Sequence, residues 1–101
     1  MLKIALLDDK KYGLNQIKEI HEGENFKLFY FSTFQEFKKN SNIFDIVYLD
    51  YFLEKDGLTG AEVLPFVKSK TKKVIGFSSV LSRSKELKQL GADNAIVKKF
   101  F

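Results

Sequence analysis

The sequence predicts a doubly wound α/β domain on a five-stranded parallel sheet. Three observations carry this reading. Five short apolar runs recur along the chain, each nearly continuous, as in strands buried on both faces. Helix-spaced apolar residues fill the gaps between them. Each run stops at polar residues, which is where the functional cleft of such a sheet lies. Strands and helices alternating at this spacing close by right-handed crossovers.

In chain order, Leu2–Leu7 is apolar but for Lys3 and ends at Asp8-Asp9. Leu14, Ile17 and Ile20 or His21 then share one helix face, and Gly23 can stop that helix. Phe26–Phe31 alternates less cleanly and ends at Ser32-Thr33. Phe34 and Phe37 suit a short second helix with Thr33 as N-cap. Phe44–Leu49 is apolar except for Asp45 and ends at Asp50. Ala61, Leu64 and Val67 suit a third helix capped by Thr59; Pro65 removes one backbone donor and implies a kink or a late start. Residues 74–77 form the fourth strand and end at Ser78-Ser79. Leu87 and Leu90 suit a fourth helix, started by Ser82 or Ser84 and closed by Gly91. Residues 95–97 form the last strand, ending at Lys98-Lys99.

Composition narrows the function. A length of 101 residues suits one domain spanning 1–101, and 45% apolar with 30% charged residues argues against disorder. The absence of cysteine excludes disulfide frameworks, zinc-thiolate sites and thiol chemistry, and the lone His21 excludes a multi-histidine metal site. No run approaches the ~20 apolar residues of a membrane span. The stretch 4–7 is shorter than the roughly 7–15 residues of a signal-peptide core. A cytoplasmic protein without membrane contact is expected. The net charge of +4 is unevenly spread: residues 1–67 hold 8 basic and 11 acidic side chains, residues 68–101 hold 9 and 2. The basic part reads first as solvated surface and second as a face for an acidic partner. Nucleic acid is not the expected partner, because no base-reading helix or RNA-stacking aromatic motif is present.

The residues at the strand ends form a chemical set: Asp8, Asp9, Asp50, Ser78, Ser79 and Lys98. With strand order 2-1-3-4-5, the first and third strands are neighbours and three carboxylates meet. Clustered carboxylates raise one another's pKa, and a hard cation such as Mg²⁺ relieves that cost. A hydroxyl and an ammonium on the next strands can hold phosphoryl oxygens, which makes sense as a carboxylate nucleophile with metal and cation support. Each residue alone has a plainer explanation: helix-start charge, a turn, a loop start, a surface lysine. Their joint order and spacing is what points to chemistry.

On these residues the chain resembles the receiver domain of two-component response regulators over essentially its whole length. The resemblance implies a flavodoxin-like fold of order 2-1-3-4-5. It makes Asp8-Asp9 the metal-binding pair, Asp50 the phosphoacceptor, Ser78 the conformational-switch hydroxyl with Ser79 beside it, and Lys98 the phosphoryl-binding lysine. Mg²⁺ would be held by Asp9, Asp50, the backbone carbonyl of Phe52 and waters, with Asp8 binding directly or through water. A sensor histidine kinase or phosphotransfer protein would donate the phosphoryl group. A downstream protein target would read the result, so a switch rather than an enzyme is implied.

The chain also departs from the family pattern. Glu54 stands where many receivers have proline, and Glu54–Gly60 reads as about two residues longer than the common loop. Lys99 stands where a cis-proline usually follows the lysine; a cis bond before a non-proline costs roughly 2.5–4 kcal/mol. Ala95 stands at the often-aromatic switch position. The apolar Phe52 and Val80 cannot orient an attacking water, so slow loss of the phosphoryl group is expected. The usual fifth helix is missing after Lys98-Lys99-Phe100-Phe101. Its absence would bare some hundreds of Å² of apolar surface, and a homodimer or partner covering that face is expected. A stand-alone receiver with no attached output domain is expected. The rivals are a receiver-like interaction module that takes no phosphate and a Mg²⁺-dependent phosphohydrolase. The latter is disfavoured because the position two after Asp8 is Lys10 and not a second aspartate.

Overall fold

Period-two alternation along the strands sorts the apolar side chains onto two faces of one sheet. In the computed structural model, which describes residues 1–99, the elements are β1 (Leu2–Leu7), α1 (Leu14–Ile20), β2 (Phe26–Phe31), α2 (Phe34–Lys39), β3 (Phe44–Leu49), β4 (Phe52–Leu53), a 3₁₀ turn (Glu54–Asp56), β5 (Leu58–Thr59), α3 (Gly60–Ser69), β6 (Thr71–Ser78), α4 (Leu81–Gln89) and β7 (Asn94–Val97). The main sheet runs β2-β1-β3-β6-β7, all parallel, which is the expected 2-1-3-4-5 order. Phe100 and Phe101 lie outside the described residues.

One face packs Ala5, Leu7, Phe31, Val47, Leu49 and Val74 against Phe34 and Phe37 of α2, Val63, Leu64 and Val67 of α3, and Leu87 of α4. The other packs Ile4, Leu6, Tyr48, Ile75 and Phe77 against Ile17 and Leu14 of α1. Four α-helices are present among the described residues, three on the first face and one on the second, and the family's fifth is not among them. The expected dimer over the second face gains no support. Tyr48, Ile75 and Phe77 there are already buried, while Ile46 and Ile96 are partly exposed. No helix among the described residues is long and apolar enough to cross a membrane.

Several local expectations change. Thr59 does cap α3, in a full capping box with Glu62, but the helix starts at Gly60 and runs through Pro65 to Ser69. Pro65 is solvent-exposed. α4 begins at Leu81 after Val80, with no side-chain cap, so neither Ser82 nor Ser84 starts it. Ser84 is buried inside the helix, and its hydroxyl accepts from Ser78 N at 2.7 Å. The long segment after Asp50 is an antiparallel hairpin: Phe52 pairs with Thr59 and Leu53 with Leu58, around the 3₁₀ turn and Gly57 at φ 65°. Asp56 of that turn accepts from Phe34 N at 2.6 Å, docking the hairpin on the start of α2. β6 starts at Thr71, three residues earlier than the apolar run, because exposed Lys72 and Lys73 continue the strand.

Candidate functional site

The site begins with two neighbouring strands. Leu7 of β1 pairs with Leu49 of β3, so the next residues, Asp8 and Asp50, leave the sheet side by side. Asp50 N donates to Leu7 O at 3.0 Å, and Asp8 N donates to Phe31 O at 3.1 Å. Oxygens of Asp8, Asp9 and Asp50 all come within 4.8 Å of one another. Asp8 is fully buried and Asp50 is 4% exposed, whereas Asp9 is half-buried. Lys98, at the end of β7, is itself 6% exposed. Its ammonium donates to Asp8 Oδ2 at 2.5 Å and lies 3.5 Å from Asp50 Oδ1.

The electrostatics follow from this packing. Burial pushes Asp50 up to about 7, the nearby Asp8 charge adds to the rise, and Lys98 opposes it. Burial likewise raises Asp8, against the pull of Lys98 and of a hydrogen bond from Lys10 N at 3.0 Å. Three carboxylates face one ammonium, so the cluster is under-neutralised. Its donors are all oxygen, which suits a small hard divalent cation. A cleft of about 160 Å³ opens on them, walled by Lys10, Tyr12, Phe52, Glu54, Ser79 and Lys98.

The sequence-chosen residues divide here. Asp8, Asp9, Asp50, Phe52, Ser79 and Lys98 all reach the cleft. Ser78 is fully buried and is not on the wall. Its hydroxyl accepts from Val80 N at 3.2 Å. Sequence reasoning missed Lys10, Tyr12 and Glu54 as wall residues; their place directly after the acidic pair and after Asp50 is the signal that could have found them. It also missed what holds the Asp50 loop. A side chain at Gly60 would come 2.4 Å from Asp50 O, so only glycine lets the start of α3 close on that backbone. Tyr51 OH donates to Glu86 Oε2 at 2.8 Å, and Arg83 stacks 4.8 Å over the Tyr51 ring, tying the same loop to α4. His21 does no work at the cleft. It is buried at the end of α1, bonded to Tyr48 OH at 2.7 Å and to Glu24. The Lys98–Lys99 bond is trans, as are all peptide bonds among the described residues.

Fold and cleft together define the class: the chain has the fold of a response regulator receiver domain, matched over essentially its full length. It is similar to DrrB, an OmpR/PhoB homologue of Thermotoga maritima, at 27% identity and TM-score 0.72, covering 99% of this chain and 46% of that one. It therefore spans about half the length of DrrB. The BeF3-activated DrrB receiver domain matches at 27% identity and TM-score 0.70, covering 100% and 87% of the two chains. The response regulator TrrA of the same organism, solved with Mg²⁺-BeF, matches at 26% identity and TM-score 0.76, covering 99% and 89%. No family model matches the chain, and no curated protein does.

Proposed function

We propose that this receiver takes a phosphoryl group onto Asp50 from a phosphohistidine of a sensor kinase or phosphotransfer protein, with Mg²⁺ in the acidic cleft. It then signals by protein contact, as a switch in the cytoplasm and not as a turnover enzyme. The observation that supports this most is the meeting of Asp8, Asp9 and Asp50 within 4.8 Å, with Lys98 reaching Asp8 and Asp50. Asp8, Asp9, Asp50 and the carbonyl of Phe52 would hold Mg²⁺. Bound there, the ion neutralises charge on the transferring group and on the carboxylates.

The chain's own residues do the rest. A carboxylate oxygen of Asp50 attacks phosphorus; the P–N bond to the donor imidazole breaks, and that nitrogen keeps the electron pair and takes a proton. Lys98 leaves its place between Asp8 and Asp50 to meet a phosphoryl oxygen, a charge-assisted contact in a dry site. Ser79, on the cleft wall, is better placed to offer a hydroxyl than Ser78, whose hydroxyl already receives Val80 N. Phe52 at the wall offers no group to orient water, consistent with slow hydrolysis of the acyl phosphate.

Intact-mass spectrometry after acetyl phosphate and Mg²⁺ tests the proposal. The native chain gains one phosphoryl group and Asp50→Asn gains none. Equal labelling of the two overturns Asp50 as the acceptor, and no labelling of either overturns the proposal and leaves a receiver-like interaction module.

A further inference from the structure

Lys98 is aimed at the acidic cleft without help from a proline, and the structure contains something else that holds it. The side-chain amide of Gln16 in α1 grips the backbone on both sides of Lys98. Gln16 Nε2 donates to Val97 O at 2.9 Å, and Lys99 N donates to Gln16 Oε1 at 2.8 Å. Between them, Lys98 N donates to Ser78 O at 2.9 Å. Three successive backbone groups around Lys98 are therefore pinned, two of them by one amide. A proline at 99 would have no N–H to give to Gln16.

The same turn of α1 also makes room for the Phe77 ring beside the lysine. Gly13 lies three residues before Gln16, so both sit on one face of the helix start. A side-chain carbon at Gly13 would stand 2.2 Å from Phe77 Cε2 and 3.4 Å from Lys98 Cδ. The Lys98 stem thus runs over bare backbone at Gly13 on its way to Asp8. Gln16 fixes where that stem starts, and the missing side chain at Gly13 leaves space for the Phe77 ring beside it.

We infer that Gln16 is a positioning residue for Lys98, clamping the end of β7 to α1 so that the buried ammonium points at Asp8 and Asp50. This deepens the phosphoacceptor reading given above and rests on it for its catalytic meaning, though the clamp itself acts before any phosphoryl group arrives. Gln16 is half-buried on a helix surface, and alanine is a better helix former, so Gln16→Ala keeps the fold.

Lysine side-chain NMR of the unphosphorylated protein tests the clamp. The Lys98 ammonium, shielded and bonded to Asp8, gives a slowly exchanging ¹⁵N–¹H signal, assigned by its loss in Lys98→Arg. Gln16→Ala broadens or removes that signal while the backbone amide spectrum persists. Lys99→Pro, which deletes one of the two bonds, does the same. With acetyl phosphate, Gln16→Ala slows labelling of Asp50 on the order of 10- to 100-fold, and adds nothing in a Lys98→Arg background. A wild-type chain with no protected Lys98 signal, or a Gln16→Ala chain with the signal unchanged, overturns the inference. If no variant is labelled, the phosphoacceptor reading falls while the NMR result still decides the clamp.

Discussion

Two lysines are buried at opposite ends of the sheet, and their surroundings differ in kind. Lys70, just before β6, gives its ammonium to the carbonyls of Phe37 and Asn40 and lies 5.2 Å over the Phe37 ring. These are neutral groups at the end of α2, where a cation also suits the helix dipole. Lys98, just after β7, faces the carboxylates of Asp8 and Asp50, with Asp9 a third carboxylate beside them. The first arrangement is complete as it stands. The second holds surplus negative charge in a dry place, a cost that structure alone does not require and that an incoming cation would offset. Buried polar groups are otherwise satisfied: no buried side-chain nitrogen or oxygen among the described residues lacks a hydrogen-bond partner. The surplus at the carboxyl ends of the strands is therefore what marks the site.

The sharpest way to break this comparison is to remove each lysine's charge. Lys98→Met leaves buried carboxylates without their partner and should cost about 3–5 kcal/mol at pH 8, measured by urea unfolding. The loss should shrink with falling pH as Asp50 takes a proton. Equal losses at pH 5 and pH 8 would mean that Lys98 is held by packing and not by charge.

Next in size is the pH dependence that Asp50 imposes. Its carboxyl is raised to about 7 in the folded chain, above the ordinary 3.8. Between those values the native state holds the proton that the unfolded state has released. Stability from this group therefore falls as pH rises from about 4 to about 7, and stays lost above that. The full difference is roughly 4 kcal/mol, shared with Asp8 because the two titrate together. Asp50→Asn should flatten most of that slope and be more stable than the native chain at pH 7.5 without metal. A native curve parallel to that of Asp50→Asn across this range would contradict the surplus-charge account.

The smallest effect belongs to the satisfied end. Lys70→Met removes donors from two carbonyls and should cost about 1–3 kcal/mol, nearly independent of pH between 6 and 8, with phosphoryl uptake unchanged. A pH-dependent loss comparable to that of Lys98→Met would erase the distinction between the two ends.

What the sequence disclosed follows the same physics. Asp8, Asp9, Asp50 and Lys98 were legible because each directly follows an apolar strand, and parallel topology sends strand ends to one place. The parallel α/β class was legible from the five runs and their helical spacers, whereas the sheet order came with the receiver resemblance. The β4–β5 hairpin was not, since strands of two residues show no period. Ser84 read as a helix start because serine favours caps; its bond to Ser78 N depends on the packing of α4 against β6. Gln16 looked like one more polar residue on an amphipathic helix. Its partner Val97 is 81 positions away, and no local pattern reports such a contact.

Calorimetric titration of Mg²⁺ into the native chain at pH 7.5, beside Asp9→Asn and Asp50→Asn, tests the central claim most directly. The account predicts one saturable site on the native chain, strongly weakened in both variants, with unfolding stability raised by about 2.7 kcal/mol at a hundredfold excess over Kd. A native chain that binds no Mg²⁺, or variants that bind it as the native chain does, would contradict it.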